Sequence, residues 1–299
     1  MFVKYLVDIG LPVVLFLMMV VVGTGLSLDE IRLVARQPRH LALATLGQVV
    51  LLPAIALMLT RVLDLTPEIS GGILLVFACP AGTMSNVHTY VARANVALSV
   101  SLTAASCLAG LVTLPLILAG YRILAAHHSE FDVPVLTMIG QLLCMLVAPI
   151  TAGMVARHFQ PRWTARCAPV LFGIGVCALV AMIVFLFLHD QELFTAAIMD
   201  TIACVALLTA ISLGVGYALE WMFGGKTADR LTLGNVFAVR NVGIATVVAV
   251  TILNHVDFAI FATAYFVVQT PLILAVALAH RIFRTEPVQP FVEVESETA

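Results

Sequence analysis

Charge is scarce in this 299-residue sequence. Only 11% of its positions are Asp, Glu, Lys or Arg, against 62% hydrophobic residues. A soluble domain draws roughly a quarter of its residues from the charged set to solvate its surface, so the composition excludes an ordinary water-soluble globule. Cysteine is sparse too. The six, at 79, 107, 144, 167, 177 and 204, form no C-x-x-C pair, which removes the spacing that a zinc site or redox motif requires. Most lie in apolar stretches and read as small packing residues. No cluster of Lys and Arg marks a nucleic-acid surface, and the net charge of −2 says nothing of partners. There is no H-E-x-x-H and no nucleophile–base motif of a membrane protease, so neither an enzyme nor a resident cofactor is expected. His127 and His128 stand in a polar loop without further ligands, a weak metal signal.

What the sequence has instead is apolar blocks of about 20 residues, the length of helix that crosses the hydrocarbon core. Nine are expected: 8–28, 40–61, 68–91, 95–122, 132–157, 167–188, 194–220, 227–254 and 257–282. Polar turns separate them, such as His189-Asp190-Gln191-Glu192. The fold class is therefore an all-α integral membrane protein with the lipid bilayer as its solvent. The run from Ile9 to Leu26 follows Lys4, but it is long for a leader and Gly23-Thr24-Gly25-Leu26-Ser27 lacks a cleavage pattern, so it is read as the first span. The acidic segment 285–299 is expected to be a disordered cytoplasmic tail.

The fifteen Lys and Arg set the orientation. With the N-terminus outside, Arg32, Arg36, Arg39, Arg93, Arg157, Arg162, Arg166, Lys226, Arg230, Arg281 and Arg284 fall inside, and Lys4, Arg61 and Arg122 outside. That is eleven against three, with Arg240 left within a span. The expected place is the inner (plasma) membrane, N-terminus out and C-terminus cytoplasmic.

Two spans break the apolar rule near their middles. The third contains Cys79-Pro80-Ala81-Gly82-Thr83-Met84-Ser85-Asn86, and the eighth contains Arg240-Asn241-Val242-Gly243. Unwinding is expected near Gly82–Ser85 and Val239–Val242, with the two breaks meeting. Each broken span is next to last in its group, spans one to four or five to nine, and the two run in opposite directions. Paired interruptions in corresponding places of two halves point to the binding site of a transporter built from inverted repeats. Two packing kinks in an unrelated bundle are the plainer alternative. A broken helix offers free amides and a positive dipole end to an anion, while freed carbonyls and hydroxyls can hold a cation.

At these residues the sequence resembles the bile acid:sodium symporter family. The resemblance is carried by Gly23-Thr24-Gly25-Leu26-Ser27-Leu28, by Gln48 with Pro53, by Ala78 through Val87, and by Thr89-Tyr90 and Asn95 through Val100 to Thr103. It weakens in spans five to seven and returns at Asn241 and Gly243. It implies inverted repeats split 4+5, a core domain (40–61, 68–91, 95–122, 194–220, 227–254, 257–282) and a panel domain (8–28, 132–157, 167–188). It also implies a first sodium site from Ser85, Asn86, Ser99 and Thr103, with Gln48 at a second. Gln48 alone would read equally as glue between helices. Aligned on Asn241, Val236 and Arg240 replace the Glu and Gln that family members carry, so the shared carboxylate is absent and sodium is expected to bind weakly.

The expected function is secondary transport of a small organic anion, carboxylate or bile-acid-like, by alternating access. Thr83, Asn86, Arg240 and Asn241 are the expected anion contacts. An arsenite-type or other anion permease of the same fold, with Cys79 in the broken helix, or a proton-coupled or uncoupled carrier, is the alternative. His88 reads as a packing or capping residue, and Asp200, inside the seventh span, as a functional acid or an interfacial one.

Overall fold

In hydrocarbon no water pairs with backbone amides, so long apolar runs must satisfy their own hydrogen bonds by coiling. The computed structural model describes residues 9–25, 38–124, 134–189, 191–253 and 255–283, and among them every named element is helical. In chain order these are α1 (Leu11–Gly25), α2 (Pro38–Leu46), α3 (Leu52–Val62), α4 (Pro67–Ala78), α5 (Met84–Val91), α6 (Val96–Leu124) and α7 (Val135–Leu142). There follow α8 (Ala148–Phe159), α9 (Pro161–His189), α10 (Gln191–Met222), α11 (Thr227–Ala238), α12 (Val242–Val247) and α13 (Val256–Phe283). His127, His128 and the 285–299 tail lie outside the described residues, as do the side chains of Asp200 and its neighbours.

Among the described residues, five helical stretches are long and apolar enough to cross a membrane: Leu41–Val62, Val96–Tyr121, Val135–Phe159, Thr201–Met222 and Asp257–Phe283. They overlap the expected spans two, four, five, seven and nine, ending within two residues of the expected C-terminal bounds. Pro12–Val21, Pro67–Ala78 and Val242–Ile252 are apolar but shorter, and overlap expected spans one, three and eight. For the third and eighth the shortness has a direct cause, since each is cut in two.

Proline shapes the long helices as well. The wide π turns Gly47–Leu51 and Leu143–Val147 join α2 to α3 and α7 to α8. The next helices begin with Pro53 and Pro149 in their first two positions. A proline ring clashes with the carbonyl four residues back and offers it no amide, and a π turn makes room for both faults.

Helix contacts gather in two sets that share one buried core. α1 lies against α8 and α9. A Cβ on Gly23 would strike the backbone of Ile150, and one on Gly153 the backbone of Val20, so α1 and α8 meet main chain to main chain. In the other set α11 packs on α10 and α6, and α13 on α10, α4 and α5. α12 bridges them, touching both α13 and α1.

Candidate functional site

Pro80 fixes the first break. The residue before a proline is driven out of helical geometry, and Cys79 is extended at φ −63, ψ 151. The chain is unwound over 79–83, and α5 restarts at Met84. The expected break at Gly82–Ser85 is therefore corrected toward the N-terminus, with Ser85 already helical, because the proline rather than the glycine sets its start. The second break covers 239–241. Asn241 ends it by capping α12, its Oδ1 accepting from the Ile244 amide at 3.1 Å.

The two unwound stretches pair with each other. Ala81 and Arg240 form an isolated antiparallel bridge. The Gly82 amide donates to the Val239 carbonyl at 2.8 Å, and the Asn241 amide to the Pro80 carbonyl at 2.9 Å. The Ala81 amide donates to Ser106 Oγ of α6 at 3.1 Å. Backbone freed from helices deep in a membrane is tolerated only when protein or a wet cavity takes up its bonds, and here each break serves the other. Gly82 makes the approach possible: a Cβ there would sit 2.6 Å from the Arg240 carbonyl oxygen.

One side of the crossing opens on a cavity of about 40 Å³. Thr83, Arg240 and Asn241 line it together with Met18 and Met19 of α1 and Phe266 and Gln269 of α13. That volume admits water-sized guests, well short of the several hundred Å³ of a ligand pocket. Asn241 Nδ2 and Gln269 Oε1 have no hydrogen-bond partner among the described residues.

Asn86 is not among the cavity-lining residues. It is the centre of a buried oxygen cluster between α5 and α6. Ser99 Oγ donates to Asn86 Oδ1 at 2.7 Å, and Thr103 Oγ1 to the same atom at 3.4 Å. Ser85 Oγ lies 3.4 Å from Thr103 Oγ1, and Thr89 Oγ1 donates to Ser99 Oγ at 3.5 Å. Four of the five residues expected to hold sodium thus converge, and every contributing oxygen is neutral. Gln48, fully buried with both amide atoms unpartnered, shares no hydrogen bond with them. Val236 is fully buried. Among the described residues, no group of three or more His, Cys, Asp or Glu is placed to hold a metal ion.

Arg240 turns its guanidinium into the end of α4. Its Nη2 donates to the Phe77 carbonyl at 3.2 Å and to the Cys79 carbonyl. Its Nε and Nη1 are buried without partners among the described residues. His88 is likewise buried, 1% exposed, with both ring nitrogens unpartnered among the described residues.

Sequence reasoning missed Gln269, Thr89 and Asn235. Gln269 and Asn235 are fully buried amides within α13 and α11, the same signal that singled out Gln48, and a search for every mid-span amide would have found them. Thr89 lies four residues beyond Ser85, on the same helix face.

Residues 12–197 match the model of the Sodium Bile acid symporter family. Among curated proteins the chain is similar to the "Probable sodium/metabolite cotransporter BASS1, chloroplastic" of Arabidopsis thaliana, 27% identical over 76% of this chain and 55% of that one. It is similar to the "Uncharacterized sodium-dependent transporter YocS" of Bacillus subtilis, 31% identical over 58% of this chain and 54% of the other. It is also similar to the human "Ileal sodium/bile acid cotransporter", 27% identical over 62% and 52%. The chain spans about half the length of these relatives. All three are named as transporters, and none as an enzyme.

Proposed function

This chain belongs to the sodium bile acid symporter family, and from that premise we propose that it is a multi-pass secondary transporter of a small organic anion, working by alternating access at the helix crossing. The observation that carries the reading is the antiparallel bridge between two broken helices beside a cavity with unpaired polar atoms. Thr83 and Asn241 would donate hydrogen bonds to the anion, and Gln269 would contact it from α13. Asn86 would act through the oxygen cluster rather than on the anion.

Sodium is the coupling ion of this reading, in keeping with the names of the relatives. Ser85, Asn86, Ser99 and Thr103 would hold it, joined by Thr89. Oxygen ligands suit a hard cation, but without a carboxylate nothing repays its desolvation in full, so the site is weak. Gln48, unpartnered in its π turn, is assigned to a second, separate position.

Nine spans in inverted repeats (4+5), with the N-terminus outside and the C-terminus cytoplasmic in the inner membrane, complete the reading. The panel of the first, fifth and sixth spans is supported by the packing of α1 on α8 and α9. The core is supported by the packing around α10, α11 and α13. The arsenite-type alternative gains no support, since Cys79 is fully buried and does not line the cavity. Uptake into proteoliposomes tests the proposal, with labelled taurocholate and pyruvate as probes, sodium-loaded against sodium-free. Saturable uptake of either supports it. Flux no greater than in empty liposomes for these and a wider set of organic acids would rule it out.

A further inference from the structure

The end of α4 is deeply buried, and its own helix leaves the carbonyls of its last turn free. The Leu75 carbonyl accepts from the Cys79 amide, as a helix requires. Pro80 has no amide for Val76. The Ala81 amide, which would serve Phe77, goes to Ser106, and the Gly82 amide, which would serve Ala78, goes to Val239. The last turn of α4 is therefore an open negative pole, buried where Phe77 and Cys79 have no exposure at all.

The opposite break ends differently. There the freed Ala238 carbonyl accepts from the phenol of Tyr265 at 2.7 Å. A neutral hydroxyl is enough for that end. At α4 the donor is a guanidinium, which carries a permanent charge and is costly to hold within hydrocarbon. Among the described residues its electrostatic neighbours are Tyr265, Cys79 and Cys107, with no carboxylate. Two of its nitrogens find no acceptor among the described residues. A group needed only for hydrogen bonding would not bring a full charge and idle donors, whereas a group that balances a negative pole would.

We infer that Arg240 occupies a cation site: its guanidinium stands, as a tethered ion, where a mobile metal cation would otherwise neutralise the open end of α4, and its removal uncovers a site that takes sodium. The inference deepens the transport reading and rests on it for its consequence, namely that the carrier needs no mobile cation at this position. The Phe77 and Cys79 carbonyls would become the ligands of the uncovered site, hard oxygens of the kind that sodium accepts.

The experiment uses sodium alone, so its outcome is independent of whether any anion is transported. The unfolding midpoint of the full chain in detergent is measured in sodium chloride and in choline chloride at equal ionic strength, for the wild type, Arg240→Gln and Arg240→Lys. A ligand that binds the native state raises the midpoint. Arg240→Gln should lose several degrees in choline and regain most of the loss in sodium. The wild type and Arg240→Lys, each with a built-in cation, should respond less. A sodium-dependent gain in Arg240→Gln no larger than in the other two overturns the inference, and so does an Arg240→Gln protein that stays unfolded in sodium.

Discussion

At Gly82 the backbone of one broken helix lies so close to the other that a single methyl group decides whether they pair. Gly82→Ala puts a carbon 2.6 Å from the Arg240 carbonyl, against main chain that cannot swing aside. The bridge must open, at a cost of about 1–3 kcal/mol of stability, the usual range for overpacking. A lower unfolding midpoint together with lost uptake is expected; an unchanged midpoint would mean that the crossing is slack. The oxygen cluster around Asn86 gives a second prediction at this scale. It has five neutral side chains and no carboxylate. Uptake should therefore depend on sodium only weakly, and without the steep, two-ion dependence of a carrier with two full sites. A Hill coefficient near two in sodium titrations would contradict it. Ser99→Ala, which removes the 2.7 Å hydrogen bond to Asn86, should shift the sodium dependence while leaving sodium-free uptake unchanged.

The broken helices are the elements that matter, and their existence is readable from the sequence, because Pro, Gly, Ser and Asn gather in the middle of an apolar span only where the helix gives way. The exact unwound residues are not readable. Gly82, Thr83 and Ser85 look as permissive as Pro80, but only proline both lacks an amide and constrains the residue before it, and that places the break at 79–83. Arg240 stands out in the sequence as a charge requiring compensation. Where its fork points is hidden there, since that depends on which carbonyls the other half of the chain leaves free. Gln269 escapes notice because a lone amide in an otherwise regular helix makes no pattern. The proline argument has a direct test. Pro80→Ala restores an amide for the Val76 carbonyl and relieves the restriction on Cys79, so α4 should extend into the break. Uptake should fall at least about tenfold, the effect of losing roughly 1.4 kcal/mol of productive geometry, while the unfolding midpoint holds or rises. Full activity in Pro80→Ala would show that the break is maintained by the bridge alone.

For the whole molecule, the proposed mechanism requires that α1, α8 and α9 move as a body against the helices around α10, α11 and α13, with α12 at the seam between them. Alternating access needs such a pair, with the crossing exposed first to one side and then to the other. The orientation inferred from the distribution of Lys and Arg predicts that a cysteine placed at Ser296, in a background cleared of native thiols, reacts with an impermeant maleimide only after the membrane is opened. Labelling in intact cells would reverse the topology. The claim that the crossing itself is the transport site is tested most directly by uptake through Asn241→Ser. Serine keeps an oxygen to cap α12 but loses the Nδ2 of this cavity-lining residue, which has no partner among the described residues. In one set of proteoliposomes, with labelled taurocholate and pyruvate as probes, the wild type should give saturable uptake of at least one. Asn241→Ser, with an unfolding midpoint within a few degrees of the wild type, should take it up at least about tenfold more slowly, as expected for a lost hydrogen bond to a charged group. Equal uptake by the two proteins would contradict the assignment of the crossing as the place where the anion binds.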